Sequence, residues 1–243
     1  MRPGGVSLRP GRPHIPVMLK FTPLLLALIW GIAMYRMSVW RTLRELEARS
    51  SELADPALAR AFGQLARALD LPRVRVFLYE IEPVNGLAAP DGKVYITRGF
   101  YDKFRQGQIT DTEMASVIAH ELGHVALGHS KRRMIDFSGQ NALRTALAML
   151  LSRILPGLGV YIAGWLTQML AAKLSRSDEY EADAYATALL IKAGIGTGPQ
   201  KSLFEKLPHL TGAHGASMPA WLMSHPKTEE RIKAIEANEA KWS

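Results

Sequence analysis

His120-Glu121-Leu122-Gly123-His124 lies inside a stretch with a clear helix start. Thr110 and Glu113 have capping-box spacing, and Met114, Val117, Ile118, Glu121, Leu122 and Val125 follow at helical intervals. On a helix, residues i and i+4 sit about 40° apart, so both imidazoles project from one face at a separation that a single Zn²⁺ can bridge. Glu121 is one position on, able to reach water at that ion without ligating it. This is the division of labour of a zinc hydrolase: two histidines hold the ion, and Glu121 is the candidate general base.

A third ligand must come from elsewhere. The metzincin pattern needs Gly three and His six residues after the second histidine, but those positions are Leu127 and Ser130, so that class is excluded. His129 is rotated about 140° from His124 on a continuing helix and reads as a supporting histidine rather than a ligand. The alternative is a carboxylate on another helix, and Glu179 and Asp183 stand one turn apart in the stretch Ser175 to Asp183. Glu179 would complete a site of two histidines and one glutamate with a position left for water. Asp183 would hydrogen-bond the distal nitrogen of a ligand histidine. Asp178 and Glu181 read as a solvated helix face.

Around this centre the chain reads as mainly α with a small sheet. Arg41 to Leu71 is expected to be helical, with Asp55 as an N-cap and Pro56 in the first turn. Alternation around Val74, Val76 and Leu78, and again over Lys93 to Thr97, predicts two strands. Later helices are expected over Ser177 to Ala193, ending at Gly194, and after Pro226. The length of 243 residues suits one domain with a substantial core. The absence of cysteine excludes disulfides and thiolate metal sites.

Thirty basic against twenty-two acidic residues would invite a nucleic-acid reading, but seven of the basic ones precede the first acid, Glu45. The remainder is nearly neutral, so no nucleic-acid partner is expected. The basic residues instead flank an apolar run, Phe21 to Tyr35, which predicts an uncleaved membrane anchor over 21–40 after a basic segment over 1–20. Four basic residues before the run and three after it favour an inside N-terminus and a periplasmic-side catalytic domain, with the lipid bilayer as a partner.

At this point the chain resembles the zinc metallopeptidases that include HtpX, the CAAX prenyl proteases and the periplasmic BepA-like enzymes. Ser175 to Asp183 is similar to that family's S-R-x-x-E-x-x-A-D block, which assigns the third ligand to Glu179. Ser224 to Ile232 is similar to its S-H-P-x-T-x-x-R-I block. Asn85 to Gly99 is similar to its N-A-x-x-x-P-x-G strand segment, with Gly86 where alanine is usual. The resemblance covers roughly residues 50 to 240. It implies a zincin-like α+β fold, one Zn²⁺, and a metallopeptidase domain over 41–243. Polypeptide substrates, misfolded or membrane-proximal, are expected, in a role of protein quality control. It also implies that Asn85 marks a substrate-edge strand. His225 would lie near the zinc, steadying an oxyanion or occupying the open position, and Arg176 would pair with an acid beside the site. His14, His209 and His214 lie outside the motifs and read as loop histidines.

Ile154 to Ala172 is nineteen residues without charge. His124 and Glu179 must reach one ion, so the chain between them can cross a membrane only an even number of times. The one available partner span carries Asp136, Asn141 and Arg144, which makes a crossing costly. A helical hairpin over 137–172 is expected instead, packed on the catalytic core with its tip at the bilayer. Two other functions compete. A zinc-stabilised chaperone or adaptor would have no use for Glu121, and a prenyl-peptide protease would need more membrane spans than this chain supplies.

Overall fold

The computed structural model describes residues 17–210 and 229–242. Helix α1 (Val17–Ala48) leads into β1 (Ser50–Glu52), α2 (Pro56–Ala68), β2 (Val76–Tyr79), β3 (Gly86–Ala88), β4 (Val94–Thr97) and α3 (Arg98–Arg105). Then come α4 (Asp111–Ala126), α5 (His129–Ile154), α6 (Gly159–Lys192), α7 (Gly198–Leu210) and, last, α8 (Glu229–Trp242). The fold is α+β, mainly α, with one small mixed sheet.

Strand order is β1-β2-β4-β3, antiparallel at both outer pairs and parallel between β2 and β4. The stretch Arg41 to Leu71, expected to be helical with an N-cap at Asp55, therefore also contains a strand. Ser50 to Glu52 leave α1 and pair with Phe77 to Tyr79, and Asp55 then caps α2 by accepting from the Ala57 amide. A three-residue strand carries too little alternation to be seen in the sequence.

Helix α4 runs through the middle of the core. Ile118, Met114, Ala115 and Ala119 are fully buried and pack with Leu58, Leu65, Ile96, Phe100, Leu190 and Leu207. Being buried on nearly every side, polar positions such as Ser116, His120 and Glu121 included, α4 is a core helix rather than an amphipathic surface one. Its start is fixed by the full capping box: the Thr110 side chain accepts from Glu113 N, and the Glu113 carboxylate accepts from Thr110 N. The same carboxylate accepts from Ser202 Oγ and Lys206 Nζ, tying α4 to α7.

The membrane anchor expected at 21–40 is overturned. Among the described residues no helix is long and apolar enough to cross a membrane. The uncharged run is fifteen residues, or about 22 Å of helix against about 30 Å of hydrocarbon. Beyond it α1 carries Arg36, Arg41, Arg44, Glu45 and Glu47. Its C-terminal end belongs to the protein core: Leu46 is buried with Tyr79, Ala89 and Tyr95, and Tyr79 Oη donates to Glu45 at 2.9 Å. The membrane localisation, and the periplasmic side inferred from it, lose their basis.

Helices α5 and α6 form two long arms joined at Leu155 to Leu158, where Gly157 takes φ 83°. The return is tight, since a Cβ at Gly159 would overlap the backbone of Leu151 and Ser152. The second arm carries Glu179 and Asp183 back to α4.

Candidate metal centre

Two helices build the centre. His120 and His124 project from α4, Glu179 and Asp183 from α6, and all four are almost fully buried. The helices approach closely because residue 123 has no side chain: a Cβ there would lie 3.0 Å from the Ala182 carbonyl oxygen and 3.2 Å from Tyr185 Cβ. Gly123 thus sets the spacing between the histidines of α4 and the carboxylates of α6.

Three side chains converge. His120 Nε2 and His124 Nε2 are 3.1 Å apart, His120 Nε2 is 3.4 Å from Glu179 Oε2, and His124 Nε2 is 3.5 Å from Glu179 Oε1. Ligands held about 2.0–2.1 Å from a tetrahedral zinc ion stand roughly 3.3 Å from one another. His120, His124 and Glu179 therefore offer one face of such a tetrahedron, and they form a metal-binding cluster of buried residues. Two nitrogens and a carboxylate suit one Zn²⁺.

The carboxylates around the cluster are themselves held. Asp183 Oδ1 accepts from His120 Nδ1 at 3.0 Å, leaving the ring's Nε2 turned to Glu179. Arg231 Nε and Nη2 donate to the two Asp183 oxygens at 2.6 and 2.9 Å, and Arg231 Nη1 stands 3.3 Å from Glu179 Oε2. Burial would raise the Asp183 pKa, but Arg231 and then His120 bring it below the ordinary carboxylate value. Burial likewise disfavours a charged His120, yet hydrogen bonds to Asp183 and Glu179 outweigh it and raise its pKa to about 9. On the opposite side Arg133 Nη2 donates to Glu179 Oε1 at 2.8 Å.

Glu121 lies on the neighbouring side of α4, 1% exposed, and lines a cavity of about 120 Å³ with Asn85, Leu87, His124, Ser130 and Arg133. A larger cavity of about 480 Å³ is lined by α2 and the segments flanking it, Glu52 to Asp55 and Leu71 to Val74. It holds none of the converging donors, whereas the smaller one is lined by Glu121 and by His124. Strand β3 forms one wall there and is an edge of the sheet. Asn85 sits at its start, where Thr97 Oγ1 accepts from the Asn85 amide at 2.9 Å.

The chain matches the model of peptidase family M48 over residues 52–239. The chain belongs to that family. It is 35% identical over 159 residues to Metalloprotease LoiP of Escherichia coli, covering 65% of this chain and 60% of that one. It is 35% identical over 184 residues to Metalloprotease YcaL of the same organism, covering 73% and 67%. To the putative beta-barrel assembly-enhancing protease of Vibrio cholerae it is 30% identical, over 64% of this chain and 32% of that one. The triad His120, His124 and Glu179 is consistent with the active site of a zinc metalloendopeptidase of this family, whose members act on protein substrates. No observation favours the chaperone alternative.

Several residues stand elsewhere than expected. Asp178 is not on a solvated face: it is 5% exposed and paired with Arg132 and with Arg133. Arg176 is exposed, and the cations beside Glu179 are Arg133 and Arg231. His225 lies outside the described residues, as do His14 and His214, while His209 is in α7. Arg133 had no motif to announce it. Arg231 did, being the arginine of the last block.

Proposed function

We propose that the chain is a zinc-dependent endopeptidase that hydrolyses extended or misfolded polypeptides, with Glu121 as general base. The single observation that carries this is one cavity shared by Glu121, His124 and the edge strand β3. Bound by His120, His124 and Glu179, a zinc ion supplies the Lewis acidity that brings the pKa of water to about 7. The chain's own residues do the rest. Glu121 accepts the proton of the attacking water and returns it to the leaving amine, and Asp183 and Arg231 hold the ligands in place. An extended substrate lies along β3, with Asn85 at the start of that strand. By the family resemblance His225 faces the oxyanion. The domain responsible is 41–243, with 137–172 as its hairpin.

Substituting Glu121→Gln is expected to preserve zinc content and to lower cleavage of a denatured model protein by about 10²–10⁴-fold. Equal cleavage by mutant and wild type at matched zinc content overturns the mechanism, and cleavage insensitive to a chelator overturns the zinc reading altogether.

A further inference from the structure

His129 is fully buried beside the centre but is not one of the converging ligand residues. Gly128, at φ 69°, ends the helical run of α4 and redirects the chain so that His129 begins α5. This brings His129 Nδ1 to 2.8 Å from His124 Nδ1, with the two rings edge to face at 69°. Its other nitrogen, Nε2, is 3.2 Å from Glu181 Oε2 and 3.8 Å from Asp178 Oδ1. Arg132 stands against both of these acids and Arg133 against Asp178.

Two ring nitrogens at 2.8 Å share one proton, so one donates and the other accepts. The direction is set by what His124 does on its other side. Its Nε2 is the atom that faces His120 and Glu179, and a neutral imidazole that offers a lone pair at Nε2 carries its proton on Nδ1. His124 Nδ1 therefore donates, and His129 Nδ1 accepts. His129 must then hold its own proton on Nε2, facing Glu181.

We infer that His129 is a positioning residue for the metal centre: it accepts a hydrogen bond from His124 and passes the orientation set by Glu181 to that ligand. The two ligand histidines are thus held by different means. His120 donates directly to a carboxylate, Asp183, whereas His124 reaches its carboxylate, Glu181, through a second imidazole. Direct partners of this kind raise the affinity of a metal site by 10–100-fold. The inference rests on zinc binding at His120, His124 and Glu179 as proposed above.

The test measures Zn²⁺ affinity by competition with a colorimetric chelator at one fixed pH, using the full chain. His129→Phe keeps the bulk of the ring and removes the acceptor, and is expected to weaken zinc binding by about 10–100-fold. His129→Asn places an amide oxygen where Nδ1 stood and is expected to return affinity to within about threefold of wild type. Glu181→Ala, at the partly solvated end, should cost less than His129→Phe. Wild-type affinity in His129→Phe overturns the inference, and so does an Asn variant as weak as the Phe one, because the ring would then serve packing alone. Should His129→Phe fail to fold, the Asn variant and the ¹⁵N imidazole spectrum of the zinc-loaded wild type decide. His124 protonated at Nδ1 and His129 at Nε2 support the relay, and a proton on His129 Nδ1 refutes it. A wild type that binds no zinc refutes the proposed function instead.

Discussion

The two halves of α6 invert the usual placement of residues. Its first half exposes Val160, Tyr161, Trp165, Met169 and Leu170, while its second half buries Asp178, Glu179, Asp183 and Thr187. One continuous helix thus holds apolar side chains in solvent and carboxylates in the core. What differs is the company. Among the described residues the main neighbour of the first half is α5, and a two-helix hairpin covers one side of each arm. Opposite the second half are α4, α7 and α8, which bring His120, Arg231 and, from α5, Arg133. A carboxylate is buried where cations and donors satisfy it, and an apolar residue stays exposed where a single neighbouring helix covers one side of it.

The largest effect should come from emptying the charged half. Glu179→Ala is expected to abolish stoichiometric zinc binding and cleavage together, and Asp183→Asn to weaken zinc binding by about 10–100-fold. Metal content after dialysis against a weak chelator reads both. If Glu181→Ala strips the metal while Glu179→Ala does not, the assignment of ligands along α6 is wrong.

Next is Arg231, 2% exposed, which grips Asp183 and stacks over Phe204 at 4.7 Å. Arg231→Ala leaves buried carboxylates without their cation and should cost about 3–5 kcal/mol in urea unfolding. A cost under about 1 kcal/mol would mean that these acids do not depend on it.

Glu113 is a buried acid outside the centre and calibrates the comparison. Burial opposes its ionisation, but Lys206, Ser202 and the Thr110 amide prevail and hold its pKa below the ordinary 4.5. A carboxyl depressed in the folded state stabilises above its unfolded pKa, and that contribution is lost as pH falls through the folded value. Glu113→Gln should therefore cost about 1.5–3 kcal/mol at pH 7, with the gap to wild type closing progressively below pH 4.5. A gap that is constant with pH would assign the effect to shape rather than charge.

The smallest effect belongs to the apolar half. Tyr161→Ser and Trp165→Ser, at 77% and 60% exposure, should each change stability by no more than about 0.5 kcal/mol. A loss of 2 kcal/mol in thermal or urea melts would show that a covering layer exists.

The contrast also explains what was legible in the sequence. His120 and His124 could be named because helical periodicity places them on one face, with the capping box at Thr110 setting the phase of α4, and Glu179 because the block from Ser175 to Asp183 resembles that of the family. Arg133 and Arg231 could not be derived from spacing, since their partners lie 46 and 48 residues away in sequence. Asp178 misled for the same reason, because its burial depends on Arg132 and Arg133 arriving from α5. The apolar run at 21–35 misled differently: composition announced a membrane helix, while length and the contacts of Leu46 place the end of α1 on the sheet.

The joint between Leu155 and Leu158 has a further consequence for chain entropy. His124 and Glu179 meet across 55 positions of sequence, and the two arms of α5 and α6 make up nearly all of that excursion. Tying both ends to one ion closes a loop of that length, worth about 4 kcal/mol by the cross-link relation. The ion is then a clasp on the hairpin as well as the seat of catalysis. Depleting zinc should loosen the arms before the core, so that the first site of nicking by an added protease moves to 155–158.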